Sequence, residues 1–396
     1  LMSPEAVAAL PVAALLSGPA GGVVAAAALG DALGDDSLIT LDMGGTSTDV
    51  SHFEGEYERA FETEVAGVRM RAPMMQIHTV AAGGGSILHF DGSRFRVGPD
   101  SAGADPGPMC YRRNGPLAVT DANVMVGKLI PDFFPKIFGK TNDQPIDAEA
   151  VRAAFVKLAK EVGGGKTPEE IADGFITIAV ENMANAIKKI SVARGYDVTR
   201  YALNCFGGAG GQHACLVADS PGMKSVIVHP LSGLLSAYGM GLADIRATRT
   251  QALEESLSAK ALAAVNRIGK RLGDEVKREV ASQGVAASQI KVIVRAHLRY
   301  AGTDTPLEVV AGSIKKMQRD FEAAHKARFG FMDRDKEIVV EAVSVEAIGG
   351  GAKFSERKTK TSRSKLPAPR RRTKFFSRGK FRAAGVYTRD QLSPGH

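Results

Sequence analysis

The sequence predicts an α/β fold, and two stretches carry that prediction. Residues 37–53 have the pattern of a strand, a turn with two adjacent glycines and a second strand. Residues 201–219 have the pattern of a buried strand that passes through a glycine-rich turn directly into a helix, an arrangement that presents backbone amides to a nucleotide. Between them, residues 147–162 and 168–193 have the spacing of amphipathic helices.

Composition excludes several classes of protein. With 396 residues and 44% hydrophobic content, the chain can bury a sizeable core, and its length suggests two or three domains. No apolar run reaches the ~18 residues of a membrane span, and no cleavable signal is recognisable. Three cysteines without a CxxC pair argue against a disulfide framework and a structural zinc site. We therefore expect a cytoplasmic protein with no membrane contact.

The net charge of +8 is concentrated in one segment. Residues 353–382 hold thirteen Lys or Arg residues and one acid, which leaves the rest of the chain with a net charge of −4. Such a run would suit nucleic acid or an anionic surface, but it is more often a solvated linker. The linker interpretation is favoured, and a nucleic-acid partner is not expected.

The turn of the first hairpin carries the strongest chemical signal. Its paired glycines and three hydroxyl residues can close N–H and O–H groups around a phosphate, while Asp42 and Asp49 can hold a divalent cation. An ordinary tight hairpin, in which the glycines supply positive φ, explains the same residues. The amides at the start of the helix predicted over 17–34 would likewise suit an anion, although close packing on a sheet also explains its small residues.

Two irregular segments follow the hairpin. The run Gly83-Gly84-Gly85-Ser86 is costly in conformational entropy, so it indicates close approach of the backbone to another group; a mobile hairpin tip is the alternative. A long loop over 98–116 is rich in Gly and Pro. Loops of this length in compact domains are usually functional or disordered, and its residues Asp100, Ser101, Asp105, Cys110 and Tyr111 favour a functional loop.

Two further residues allow a structural and a functional interpretation. Asp121 opens a helix that is expected to run to about residue 129, where it would serve as a cap or helix-dipole partner. His213 lies in the helix predicted after the glycine turn 207–211, as a packing or a catalytic histidine. That turn matches neither the Rossmann nor the P-loop spacing.

Several blocks together resemble the hydantoinase A/5-oxoprolinase family, and within it the ATP-dependent 5-oxoprolinases. They are DMGGTSTDVS, the run over 83–86, GPDSAGADPGPMCYRR, TDANVM and LNCFGGAGGQHACLVADSPGMKSVIVHPLSGLLSAYGMGLAD. The likeness covers nearly the whole chain. It implies a ribonuclease-H-like, actin/sugar-kinase/Hsp70-type nucleotide-binding domain, in which two such domains hold ATP between two phosphate hairpins and an adenosine loop.

The resemblance also implies an activity. Members couple ATP cleavage, with Mg²⁺, to hydrolysis of a cyclic amide, here most simply 5-oxoproline to glutamate, and phosphorylation of the amide oxygen makes it a good leaving group. An ATP-dependent carboxylase of the acetone or acetophenone type, and a non-catalytic nucleotide-binding remnant, are the alternatives. A hydantoinase B-type subunit or domain and a homo- or hetero-oligomer are the implied partners.

The same resemblance assigns roles to individual residues. The hairpin becomes the second phosphate hairpin, with Asp42 as the Mg²⁺ residue, and the glycine turn becomes the adenosine loop. The expected nucleotide-binding residues are Asp42, Gly44, Gly45, Thr46, Ser47, Thr48, Gly207, Gly208, Gly210 and Gly211. The candidate catalytic residues are Asp49, Asp121 and His213, and weaker candidates for substrate contact are Ser86, Asp100 and Asp105.

The predicted organisation has four parts. Residues 1–250 form the nucleotide-binding core, 251–352 an α+β region, 353–373 a basic linker and 374–396 the start of a truncated C-terminal β-rich region. By the resemblance, the first phosphate hairpin is expected in a domain that precedes residue 1. We therefore expect the isolated chain to lack phosphate release that depends on 5-oxoproline.

Overall fold

A computed structural model describes residues 1, 4–9, 11–60, 63–65, 68–70, 74–333, 335–351 and 365–396. The chain divides into two compact units. The core unit comprises Leu15–Met240 with Phe354–His396, and the second unit comprises Leu1–Ala14 with Gly241–Lys353. The four-part division made from the sequence stays a prediction of domain organisation.

The elements are numbered here in chain order. The α-helices are α1 (Pro4–Ala9), α2 (Ser17–Leu33), α3 (Val119–Met125), α4 (Ala148–Val162), α5 (Pro168–Ile190), α6 (Ala214–Asp219), α7 (Leu235–Leu242), α8 (Ala259–Ser282) and α9 (Ile314–Phe329). The strands are β1 (Ser37–Met43), β2 (Thr48–Glu54), β3 (Arg59–Ala60), β4 (Thr63–Val65), β5 (Val68–Met70), β6 (Met74–Met75), β7 (Ile77–Val80), β8 (Ser86–Phe90), β9 (Phe95–Ser101), β10 (Ala202–Phe206), β11 (Ser225–Ile227), β12 (Ile245–Ser256), β13 (Lys291–Tyr300), β14 (Leu307–Val310), β15 (Ile338–Gly349), β16 (Arg371–Ser377) and β17 (Lys380–Val386). Among described residues, none of these helices is long and apolar enough to cross a membrane. The cytoplasmic location stays a prediction.

The core unit is built on a five-stranded sheet of order β11-β10-β1-β2-β7. β1 is antiparallel to β2 and parallel to β10, β2 is antiparallel to β7, and β10 is parallel to β11. Three antiparallel strands thus continue into two parallel ones. This mixed sheet with helices between its strands confirms the predicted α/β class.

Helices cover both faces of this sheet. Because side chains alternate along a strand, Ile39 and Leu41 of β1 join the main core with α5, whereas Leu38 packs with the alanines of α2. All five residues of β10 are buried, as a strand covered on both faces requires. The predicted helices over 147–162 and 168–193 are confirmed, and α5 begins with a capping box between Thr167 and Glu170.

The hairpin β16–β17 belongs to the core unit and packs against the segment that follows α3. The backbone N–H of Phe376 donates to the carbonyl of Val126 (2.7 Å), and the Phe376 side chain is buried. β16 begins at Arg371, so the last residues of the segment predicted as a basic linker are strand. Residues 353–364 of that segment lie outside the described part of the chain.

The second unit is an antiparallel sheet of order β12-β15-β13-β14 packed against α8 and α9. In the sequence, apolar alternation predicts strands at 290–299, 305–310 and 337–348, and amphipathic spacing predicts helices at 257–280 and 314–329. All five elements are present. β12 was not predicted, because most of its residues are polar and they lack the alternation of a half-buried strand.

Candidate functional site

The turn between β1 and β2 brings two carboxylates side by side. Asp42 and Asp49 are directly opposite each other in the antiparallel pair. The N–H of Gly44 donates to the carbonyl of Ser47 (3.0 Å) and closes the turn. Opposite side chains in such a pair have Cβ atoms about 4.5–5.5 Å apart, close enough to share one ion.

Both carboxyl groups are partly removed from water. Burial raises the pKa of Asp42, and the charge of Asp49 adds to this, while a hydrogen bond from the Ser236 hydroxyl (3.0 Å) opposes it. Burial also raises the pKa of Asp49, against a hydrogen bond from Thr79. Two adjacent desolvated carboxylates repel each other, and a divalent cation relieves that repulsion.

This donor set fits Mg²⁺ bound together with a phosphate better than it fits a metal held by protein alone. Among the described residues, no group of three or more His, Cys, Asp or Glu side chains could hold a metal ion. Mg²⁺ keeps several waters and is usually held by one or two carboxylates plus substrate phosphates. The pair at Asp42 and Asp49 matches that preference.

A pocket of about 330 Å³ opens over the turn. Its lining residues are Gly18, Pro19, Asp42, Gly44, Gly45, Thr46, Ser47, Asp49 and Ser236. Gly18 and Pro19 belong to the first turn of α2, and no side chain caps that helix end. A helix N-terminus and a turn of glycines and hydroxyls both favour an anion, so one pocket combines groups for phosphate and for a cation.

The two glycines of the turn are not required by packing. A Cβ on Gly45 would have no atom within 4 Å, and one on Gly44 would have its nearest neighbour at 3.8 Å. Their missing side chains leave the backbone open to the pocket. A ligand that must approach the main chain would explain them.

The glycine run that follows lies against this turn. Gly84 donates to the carbonyl of Gly44 (3.0 Å) and Gly85 to that of Gly45 (2.6 Å). A Cβ on Gly83 would lie 2.6 Å from the carbonyl oxygen of Gly45. The predicted close approach of backbone is therefore confirmed, and the group approached is the hairpin itself.

The glycine turn after β10 lies beside the base of the hairpin. Gly207 has φ +85°, and a Cβ on it would lie 2.4 Å from the Met43 carbonyl oxygen and 2.6 Å from Oδ1 of Asp42. The N–H of Ala209 donates to that same carbonyl (3.0 Å). A Cβ on Gly210 would press on Cys205, whereas Gly208 and Gly211 face open space. None of these four glycines lines the hairpin pocket.

Asp121 holds a loop together and lies outside the pocket. Its fully buried carboxylate accepts hydrogen bonds from the N–H groups of Met109 (3.0 Å), Cys110 (2.8 Å) and Ala118 (2.8 Å). Burial raises its pKa, and these bonds oppose the shift. The arrangement agrees with the structural interpretation of Asp121; its catalytic role stays a prediction.

His213 precedes α6 and does not lie within the helix, contrary to the sequence prediction, because the glycine turn continues through a 3-10 turn at Gly210–Gln212. Nε2 of His213 lies 3.0 Å from Nδ2 of Asn123, which donates to it. The ring is fully buried, and burial together with the charge of Lys128 lowers the pKa of His213 to about 3. The imidazole is therefore neutral at neutral pH.

This burial predicts a pH dependence of stability. Because the pKa of His213 is lower in the folded state than in the unfolded one, its contribution is complete above about pH 6.5 and is lost as the pH falls toward 3. When the pH is lowered from 7.5 to 5, we expect the free energy of unfolding of His213→Gln to fall by about 2 kcal/mol less than that of the parent. Glutamine keeps an acceptor for Asn123, and urea unfolding at the two pH values gives the measurement. Ser191→Ala, at a fully buried residue with no titrating group, is the control and should keep the parent's dependence on pH. Equal losses in parent and His213→Gln would contradict the prediction.

Thr48 and the weaker candidates Ser86, Asp100 and Asp105 do not line the pocket. Thr48 donates to the carbonyl of Ala82, and Ser86 accepts from the N–H of Gly83 (2.9 Å); both are buried. Asp100 is exposed, 3.8 Å from Nε2 of His89, and Asp105 is also exposed. The structure thus gathers Asp42, Asp49 and the turn 44–47 at one pocket and places the weaker candidates elsewhere.

Sequence reasoning missed Ser236. It lies 194 residues from Asp42, in the segment 229–245, whose small residues predict close packing of a helix and no contact with an aspartate. The packing is real, since a Cβ on Gly21 of α2 would lie 2.4 Å from the Ser236 carbonyl oxygen. No spacing in the sequence marks this serine as a partner of Asp42; only the fold brings them together.

Comparison with known proteins gives consistent matches. Residues 1–249 match the family model described as hydantoinase/oxoprolinase. Over 97% of its length the chain is 41% identical to 5-oxoprolinase 1 of Arabidopsis thaliana, of which it spans 31%.

Two solved structures share the fold. A nucleotide-free acetone carboxylase gives a TM-score of 0.78 at 24% identity, covering 96% of this chain and 56% of that one. An ATP-dependent caprolactamase from Pseudomonas jessenii gives 0.73 at 28% identity, covering 91% of this chain and 53% of that one. These likenesses confirm the predicted fold class. The chain spans about half the length of both.

Proposed function

Because this chain belongs to the hydantoinase/oxoprolinase family, as its sequence motifs predicted, we propose that it supplies part of the ATP site of an enzyme that hydrolyses a cyclic amide. The substrate we propose is 5-oxoproline, whose ring is opened to give glutamate while ATP is cleaved. The observation that carries the proposal is the pocket in which a glycine and hydroxyl turn, a helix N-terminus and two carboxylates meet.

The residues of the turn would bind and orient the phosphates. The backbone N–H of Gly45 and the hydroxyls of Thr46 and Ser47 would supply short donors. Gly44, whose N–H closes the turn on Ser47, would contribute by leaving the backbone open to the phosphate. Asp42 would hold Mg²⁺, usually through water, in the orientation that Ser236 fixes. The metal would supply charge neutralisation at the phosphates. Gly208 and Gly211, which face open space, would let the adenosine approach the backbone.

Asp49 is the proposed base or organiser. Its raised pKa brings it toward the range in which a carboxylate accepts a proton at neutral pH, and the Thr79 hydroxyl fixes one of its oxygens. Transfer of the terminal phosphoryl group to the amide oxygen would leave ADP. A first water would add to the ring carbon and give up a proton to Asp49, and the C–N bond would then break, with the ring nitrogen taking a proton to leave as the amine and the carbon keeping the phosphate as an acyl phosphate. A second water would hydrolyse this acyl phosphate to the carboxylate of glutamate and free phosphate. Asp121 and His213 remain weaker catalytic proposals, since both are buried outside the pocket.

The partners follow from the family as proposals. A hydantoinase B-type subunit or domain would complete the enzyme, and the opposing phosphate hairpin would come from a further α/β domain. Carboxylation is the alternative reaction. The likeness to the acetone carboxylase, at 24% identity, is one of fold and does not favour that alternative.

Replacement of Gly45 by valine tests the nucleotide site. A Cβ there would have no atom within 4 Å, so we expect the variant to fold normally while its isopropyl group occupies the pocket. Titration calorimetry with Mg²⁺ and ADP should show a loss of at least ~10-fold in affinity, or about 1.4 kcal/mol.

Gly174→Val in α5 is the matched control. Gly174 also faces open space but does not line the pocket. This variant should bind ADP as the parent does. If Gly45→Val binds ADP with unchanged affinity, the nucleotide does not bind in this pocket.

A further inference from the structure

A cluster of buried polar side chains lies on the sheet face beneath the carboxylate pair. Thr40 and Ser51 are opposite each other in β1 and β2, two residues further from the turn than Asp42 and Asp49. Asn204 of β10 is in register with Thr40 across the parallel ladder. Because side chains alternate along each strand, all five residues share one face of the sheet.

The side chain of Asn204 lacks protein partners. The residue is 0% exposed, and neither its Nδ2 nor its Oδ1 has a hydrogen-bond partner among the residues that the structure describes. A side-chain amide carries two donors and an acceptor oxygen, and each buried group left unpaired costs about 1–3 kcal/mol. Buried amides in folded proteins are satisfied by protein or by ordered water.

The two neighbouring hydroxyls, of Thr40 and Ser51, leave one hydroxyl hydrogen without an acceptor. Oγ1 of Thr40 and Oγ of Ser51 lie 2.6 Å apart, and Oγ1 of Thr40 also accepts from the N–H of Ser51 (3.0 Å). Each hydroxyl carries one hydrogen, and the contact between them uses only one of the two. Whichever hydroxyl donates, the other hydrogen lacks an acceptor among the described residues, although both side chains are buried.

We propose that this cluster binds an ordered internal water between Asn204 and the Thr40–Ser51 pair. The water would accept the spare hydroxyl hydrogen and an N–H of Asn204 and would donate to Oδ1 of Asn204. These are three hydrogen bonds, the number that buried waters typically make. The site lies outside the pocket and stands independently of the proposed function.

The position of this water gives it a structural consequence at the candidate site. β1 carries the hairpin and β10 carries the glycine turn, and Asp42 is in register with Phe206, the last residue before that turn. The water would join the two strands through side chains just beneath these ends. It would therefore help to fix the spacing between the hairpin and the glycine turn.

A high-resolution crystal structure of the chain tests the site directly. We expect an electron-density peak within about 2.6–3.2 Å of Asn204 and of the Thr40 or Ser51 hydroxyl. A direct hydrogen bond from Asn204 to either hydroxyl, or no density between them, would overturn the proposal.

A double-mutant cycle tests the same link in solution. Thr40→Val and Asn204→Leu remove the polar atoms at nearly constant shape, and both should lower the equilibrium constant for folding measured in urea. If one water joins the two side chains, the folding equilibrium constant of the double variant should be roughly fivefold larger than the product of the two single losses predicts. Strict additivity would count against the water. Ser51→Ala with Asn204→Ala provides a second cycle if leucine prevents folding.

The control pair combines Asn204→Leu with Ser191→Ala. Ser191 is also fully buried, but its hydroxyl donates to the carbonyl of Ile187 within α5. This pair should be additive. Coupling of similar size in the control would show that Asn204→Leu acts through general loosening of the core unit, which would also overturn the proposal.

Discussion

Gly207→Ala is expected to destabilise the core unit by about 2–4 kcal/mol and to weaken ADP binding strongly. The methyl group would lie 2.4 Å from the Met43 carbonyl oxygen and 2.6 Å from Oδ1 of Asp42, and the first of these atoms is backbone that cannot rotate away. The residue also has φ +85°, which an L-residue adopts only with strain. Relief of either clash would displace the hairpin from the glycine turn.

Gly208→Ala provides the matched comparison. Its Cβ would have no atom within 4 Å and its φ is not positive, so we expect a change of less than about 1 kcal/mol. Urea unfolding of both variants, followed by calorimetric titration with Mg²⁺ and ADP, gives the measurement. Equal stability of the two variants would show that the glycine turn does not approach the hairpin as closely as the structure indicates.

The parts of the fold that the sequence predicted are those set by local pattern. α5 and α8 have a sustained apolar periodicity and a capping residue, and their bounds agree with the prediction to within about three residues. β12 could not be predicted, because it is held by its long pairing with β15 and not by its own alternation. His213 was misplaced because a 3-10 turn and a helix start have the same local composition.

In the candidate site, too, only the residues that are close in sequence could be predicted. Asp42, Asp49 and the residues of the turn are close in sequence, so the hairpin alone brings them together. Ser236 and the first turn of α2 reach the pocket only through the packing of α2 against α7, which depends on contacts between distant glycines. The glycine run 83–85 showed that backbone approaches something closely but could not indicate that the partner was the hairpin.

Asp42→Asn is expected to separate binding from stability. Asparagine keeps an oxygen for the Ser236 hydroxyl but removes the charge, so we expect the Mg²⁺-dependent part of ADP affinity to fall roughly 10- to 100-fold. The nucleotide-free variant should be at least as stable as the parent at pH 7.5, because it no longer places two desolvated carboxylates side by side. Titration with and without Mg²⁺, together with urea unfolding, measures both effects.

The sign of the pH dependence provides an independent check on the same variant. Since the pKa of Asp42 is raised on folding, its contribution to stability is present below the unfolded pKa of about 3.9 and is lost as the pH rises through the folded pKa. Asp42→Asn should therefore gain stability relative to the parent between pH 4 and pH 7.5. Asp100→Asn, at an exposed carboxylate that does not line the pocket, should keep the Mg²⁺ dependence of ADP binding. If Asp42→Asn binds ADP with unchanged Mg²⁺ dependence, Asp42 does not hold the metal.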